Sequence, residues 1–216
     1  MFQTVKSKTA RRGGGEHYTT EENIRKTIDP LFLDELRDRL EAAWDDKAQL
    51  TRLHNDLGRL RFLDPACGCG NFLIVTYREL RALELELLKR RRDLDIVDGN
   101  HTGRDRSQLT LDVTADLKVK LDQFYGIEID EWPARIAETA MLLVDHLANQ
   151  RTAQEFGEAP DRLPIVIAPT IKHANALRID WSTVVSHDPE KTTYIFGNPP
   201  FVGISLRDAA QTAGLL

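Results

Sequence analysis

The stretch Asp64-Pro65-Ala66-Cys67-Gly68-Cys69-Gly70-Asn71-Phe72 constrains this chain more than any other. Residues Arg61 to Pro65 read as a strand, and the small residues after it read as a tight turn. From Asn71 to about Arg92, Leu73, Tyr77, Leu80, Leu83 and Leu87 recur at helical spacing. A strand that breaks into a small-residue turn and opens a helix suits a nucleotide-like ligand, because only small side chains let backbone N–H groups come close. The dinucleotide fingerprint does not fit. Leu73 stands where its third glycine belongs, and Glu128 lies far beyond the expected spacing of about 20 residues.

Two further strand ends carry chemistry. Tyr125-Gly126-Ile127-Glu128-Ile129-Asp130 closes a second strand, Phe124 to Ile129, on an acid. Gly197-Asn198-Pro199-Pro200-Phe201 follows another, Thr193 to Phe196. An exocyclic base amine is a poor nucleophile because its lone pair is drawn into the ring. The Asn198 side-chain oxygen and the Pro199 carbonyl, accepting its two hydrogens, would orient the nitrogen and offset the charge formed at it. Prolines stiffen that loop, and Phe201 offers a face on which a base lifted from its stack can lie.

The remaining pattern is α/β. Residues 1–16, with Lys6, Lys8, Arg11 and Arg12, form a basic arm, and residues 17–60 a helical segment. Within it Thr19-Thr20-Glu21-Glu22 fits a capping box, and Asp29-Pro30 reads as an N-cap followed by proline at the first helical position. Leu33, Leu36, Leu40 and Trp44 then predict helix to about Leu57. A second long helix is expected from Asp130 to about Asn149, with Asp130 as its cap and Trp132 as packing. The third strand is either Pro164 to Ile167 or Ile171 to Leu177. Strands alternating with helices imply a parallel sheet, here reaching its fourth strand within residues 61–216.

Composition narrows the class. The 216 residues, 41% hydrophobic, can bury a real core. Twenty-nine basic against 34 acidic residues give −5, which offers little for phosphate contacts. Lys89-Arg90-Arg91-Arg92 reads as a solvated helix end. Only Cys67 and Cys69 occur, too close for an unstrained disulfide. Without further paired ligands they suit small packing residues better than a zinc site, and no metal is expected. No window has the length of a membrane span, and cytoplasm is the expected compartment.

In order and spacing these motifs resemble the N6-adenine DNA methyltransferases of the gamma arrangement, above all the methyltransferase region of fused type II restriction–modification enzymes. The resemblance implies a Rossmann-like sheet that binds S-adenosyl-L-methionine (AdoMet) and double-stranded DNA with a flipped adenine. It assigns Tyr18, Thr19 and Thr20 to the methionine end of AdoMet, and Asp64, Ala66, Gly68, Gly70, Asn71 and Phe72 to the cofactor turn. Glu128 would take the ribose hydroxyls, and Ile129 would lie against the cofactor adenine. Asn175 and Ala176 fall where the family carries an acid for the adenine amine, so the Asn175 amide oxygen would have to substitute. Asn198, Pro199, Pro200 and Phe201 match the catalytic motif.

Family members have seven strands and a separate target-recognition region. The chain is therefore expected to be an N-terminal fragment, truncated after its fourth strand, inactive alone and needing C-terminal parts or a second polypeptide. The alternatives are a protein-glutamine or RNA amine methyltransferase, whose substrates also present a planar amide or amine, and a non-catalytic AdoMet-binding subunit.

Overall fold

A computed structural model describes residues 19–97, 117–156 and 167–199. Four parallel strands, β1 (Leu60–Asp64), β2 (Phe124–Glu128), β3 (Thr170–His173) and β4 (Thr192–Ile195), form a sheet in the order β3-β2-β1-β4. Helices α1 (Glu21–Ile28), α2 (Asp34–Ala42) and α3 (Lys47–Leu57) precede β1. Helix α4 (Asn71–Val97) follows β1, and α5 (Glu131–Phe156) follows β2. The expected α/β class and parallel pairing hold; β3 falls on the second candidate range, Ile171 to Leu177, while Pro164 to Ile167 lies almost wholly outside the described residues.

Burial follows the strand order. β1 is buried at every position, as a central parallel strand covered on both faces should be. β3 and β4 are mostly exposed, and β4 pairs only with β1 among the described residues. On one face Phe62 and Phe124 stack at 5.1 Å, and Phe32 reaches Phe62 at 5.2 Å and Tyr194 at 5.0 Å. The N-terminal helices thus share one core with the sheet, where each fully buried ring contributes roughly 1.5–3 kcal/mol. The other face holds a smaller cluster, Leu63, Ile127 and Val184, covered by Ala174, Ala176, Ile179 and Trp181.

The N-terminal helices depart from expectation at Asp29-Pro30. Thr20 caps α1, its hydroxyl accepting from the Asn23 N–H at 3.4 Å. Asp29 is no cap: its backbone is helical, and the rod continues through a π turn, Asp29–Leu33, into α2. Pro30 lacks the N–H a regular helix needs, and the wider turn absorbs it, with the Asp34 N–H reaching the Asp29 carbonyl. The rod then ends at Ala42, and Asp46 caps α3 by accepting from the Ala48 and Gln49 N–H groups at 2.9 and 3.1 Å. A local cap here overrides the apolar periodicity that carried the expected helix unbroken to Leu57.

Both long helices outrun their expected ends, and a buried polar network holds the middle of α4. The Glu84 carboxylate, 0% exposed, accepts from the Lys118 and Val119 N–H groups at 2.6 and 3.1 Å and pairs with His54 Nε2 at 3.1 Å. Arg81 donates to the Tyr77 hydroxyl at 3.0 Å and to Asn149 Oδ1 at 2.9 Å. These bonds tie α4 to α3, to α5 and to the segment that enters β2. The basic run Lys89–Arg92 is therefore not a solvated end. Arg90 donates to the Trp44 carbonyl, Arg91 meets His54 Nδ1, and Lys89 and Arg92 pair with Glu155.

Candidate functional site

The turn after β1 is built by its own backbone. Asp64 Oδ1 accepts from the Ala66 N–H at 3.0 Å, the Cys67 N–H donates to the Ile127 carbonyl at 3.0 Å, and the Gly70 N–H donates to the Cys67 carbonyl at 2.7 Å. Its two glycines serve different ends. At Gly70 (φ 84°) a Cβ would lie 3.0 Å from Ala137 Cβ, so glycine there lets the turn pack on α5. At Gly68 (φ 53°) nothing lies within 4 Å of that position, leaving open space over the turn.

Two carboxylates flank this opening, one from each central strand. Asp64 is only 1% exposed, and burial holds its carboxyl up at about 7. The Ala66 N–H pulls it back down, and the nearby Glu128 charge adds to the rise. Glu128 accepts from the Gly68 N–H with Oε2 and from the Asp130 N–H with Oε1, both at 2.9 Å. Each oxygen keeps a second lone pair for a ligand. The Gly68 N–H is already committed to a carboxylate, and the opening is acidic. A phosphate would be repelled there, whereas a cationic nucleoside would be attracted. The residues present therefore fit AdoMet, whose ammonium and sulfonium groups carry positive charge, better than a dinucleotide.

The fourth strand brings in the loop that begins at Gly197. Gly197 (φ 154°) lies so close to Asp64 that a Cβ would overlap its Oδ1 and stand 3.1 Å from Cγ. The next residue, Asn198, is exposed, and its Nδ2 donates to Thr19 Oγ1 at 3.1 Å across 179 positions of sequence. Thr19, Asp64, Gly68, Glu128 and Asn198 thus gather at the carboxyl ends of β1, β2 and β4, and Pro199 stands exposed beside Asn198. Tyr18, Pro200 and Phe201 lie outside the described residues.

Other expected site residues sit differently. Phe72 is buried with its ring 5.8 Å from Phe196, so it supports the turn from the core. Asn71 opens α4, and Thr20 spends its hydroxyl on the helix cap. Asn175 turns its Oδ1 to the Leu177 N–H at 2.9 Å, which bends the backbone back beneath the sheet. The Ala176 carbonyl accepts from Trp181 Nε1 at 2.7 Å. Ile129 is 61% exposed beside the opening, as an apolar ring contact requires. Trp132, expected to pack, is 81% exposed on the first turn of α5, because the helix turns its small residues Ala134 and Ala137 inward instead. Cys67 is buried with Sγ against Gly126, where a Cβ would come within 2.8 Å, and burial pushes its thiol well above the usual range. That is a packing role.

The described fold is a methyltransferase fold. It superimposes with a TM-score of 0.84 on a type IIL restriction–modification enzyme, MmeI, solved in complex with DNA, at 44% identity over 98% of this chain and 26% of that one. Residues 40–215 match the family model "MmeI, DNA-methyltransferase domain", and the chain belongs to that family. DNA methyltransferase A of Bacillus subtilis (strain 168) is 37% identical over the whole chain, which spans 23% of that relative's length. The chain thus corresponds to about a quarter of each of these longer proteins.

Proposed function

We propose that this domain binds AdoMet and transfers its methyl group to the N6 amine of an adenine flipped out of double-stranded DNA, as part of a restriction–modification enzyme. The observation that carries the reading is the gathering of Asp64, Glu128 and Asn198 at the carboxyl ends of β1, β2 and β4, beside the glycine turn. AdoMet, when bound, supplies an electrophilic methyl group. The protein's part is to hold both reactants. Asp64 receives the ammonium group of the methionine end, and Glu128 the ribose hydroxyls. Ile129 offers its exposed face to the cofactor adenine.

Asn198 Oδ1 and the Pro199 carbonyl accept from the target amine. They align its nitrogen and stabilise the positive charge it gains as the methyl arrives. With Nδ2 of Asn198 turned to Thr19, Oδ1 is the atom left for the substrate. Kinship with a relative named DNA methyltransferase A, and with an enzyme solved on DNA, favours DNA over RNA or protein as substrate. A net charge of −5 supports a reading in which most phosphate contacts come from parts that correspond to the remaining length of the relatives. The reaction would take place in the cytoplasm, and no helix among the described residues is long and apolar enough to cross a membrane.

The test is nucleoside mass analysis of DNA methylated by the longer protein that contains this chain. Methyl groups on adenine N6 are expected, and Asn198→Ala should slow turnover by about 10²–10³ with AdoMet affinity nearly intact. Methyl groups on cytosine or on protein would refute the reading.

A further inference from the structure

We infer that Thr19 is a positioning residue for the base-gripping amide: its hydroxyl holds the place and plane of the Asn198 side chain, rather than serving chiefly to hold the cofactor. The inference rests on the function proposed above.

Asn198 is exposed and follows a glycine just beyond β4, which among the described residues pairs only with β1, so the strand itself does little to hold its side chain. A free asparagine amide can rotate about its last bond and exchange oxygen for NH₂ at the same place. Facing a target amine, the two ends are opposites: Oδ1 accepts the substrate's hydrogen, whereas Nδ2 would set donor against donor. Among the described residues, the side-chain contact recorded for Asn198 is the bond from Nδ2 to Thr19 Oγ1 at 3.1 Å.

Thr19 is well placed to hold that amide in its plane. It is half-buried, directly before the Thr20 cap, at the head of a helical rod whose Ile24, Ile28, Phe32 and Leu33 are buried in the main core. The hydroxyl is thus anchored to a rigid element, while the amide it holds rides on a loop. Its geometry is inherited from packing that stands apart from the cofactor opening. The β-branched threonine also has few side-chain rotamers, which limits how far Oγ1 can wander.

The experiment uses the full-length protein containing this chain, labelled AdoMet and mixed-sequence DNA. Thr19→Val removes the hydroxyl at nearly constant volume. It should lower kcat about tenfold or more, since small misplacements of a reacting group are costly. AdoMet affinity measured by calorimetry should change by less than about threefold, and Thr19→Ser should restore most of the turnover. A Thr19→Val protein with wild-type kcat would overturn the inference. So would a loss carried entirely by AdoMet affinity, or a joint loss of binding and turnover that Thr19→Ser fails to repair. Should the wild-type protein leave adenine unmethylated, the functional reading falls. Should it methylate adenine while Thr19→Val does so at full rate, only the positioning role falls.

Discussion

Asp64→Asn separates what the carboxylate does for the ligand from what it costs the fold. Burial holds Asp64 at about 7, against 3.8 for an ordinary aspartate, with the Ala66 N–H opposing and Glu128 reinforcing the rise. The unfolded chain releases this proton near the ordinary value, and the folded chain keeps it until about 7. Between those limits the folded state binds more protons, so stability falls as pH rises through the interval. At about 1.4 kcal/mol for each pH unit, the ionised side chain costs the ligand-free fold roughly 4 kcal/mol by pH 8. Asparagine keeps an oxygen for the Ala66 N–H and carries no charge. Urea unfolding of the purified chain from pH 4 to 8.5 is the assay. The variant should be more stable than wild type by about 2–4 kcal/mol above pH 7, and the gap should close toward pH 4. AdoMet binding should behave oppositely: wild-type affinity climbs with pH to about 7 as the carboxylate forms, and the variant binds weakly throughout. A stability gap that does not vary with pH, or a variant less stable at pH 8, would refute the argument.

Glu128→Ala should weaken AdoMet binding by ~1.5–3 kcal/mol in calorimetry, with Glu128→Gln in between because it can still accept one of the two backbone N–H groups. Glu84→Ala should destabilise the domain by ~3–5 kcal/mol in denaturant titration, since it leaves the buried Val119 N–H and the partly buried Lys118 N–H without their acceptor and removes the carboxylate paired with buried Arg81 and His54. Trp132→Ala should leave that same midpoint within about 0.5 kcal/mol of wild type, as expected for a side chain 81% exposed.

Sequence and structure agree best where local chemistry is self-sufficient. The turn from Asp64 to Gly70 can be read because strand, small residues and helix follow one another within a few positions, and every bond that shapes it is near or falls on β2. Asp29-Pro30 misleads because a proline at a helix start and a proline absorbed by a π turn leave the same trace in sequence. What decides between them is the burial of Phe32 and Leu33 against the sheet. Asn175 is ambiguous in sequence for a related reason. An amide at that position can serve a ligand or its own backbone, and the choice depends on the fold of residues 175–179. The bond between Thr19 and Asn198 has no local signal at all, and only the completed tertiary structure brings its partners together.

The wide turn at Asp29–Leu33 also sets how this chain tolerates changes in length. The five residues of this π turn advance the rod by about as much as four α-helical residues do. Removing one residue there would therefore restore a regular helix and leave the apolar face of α1 and the approach of Thr19 to Asn198 nearly in phase. A one-residue gap within α1 or α2 would instead turn everything before it by ~100° and 1.5 Å about the rod axis. N-terminal segments exchanged between relatives should tolerate a single-residue difference at this turn and nowhere else along the rod.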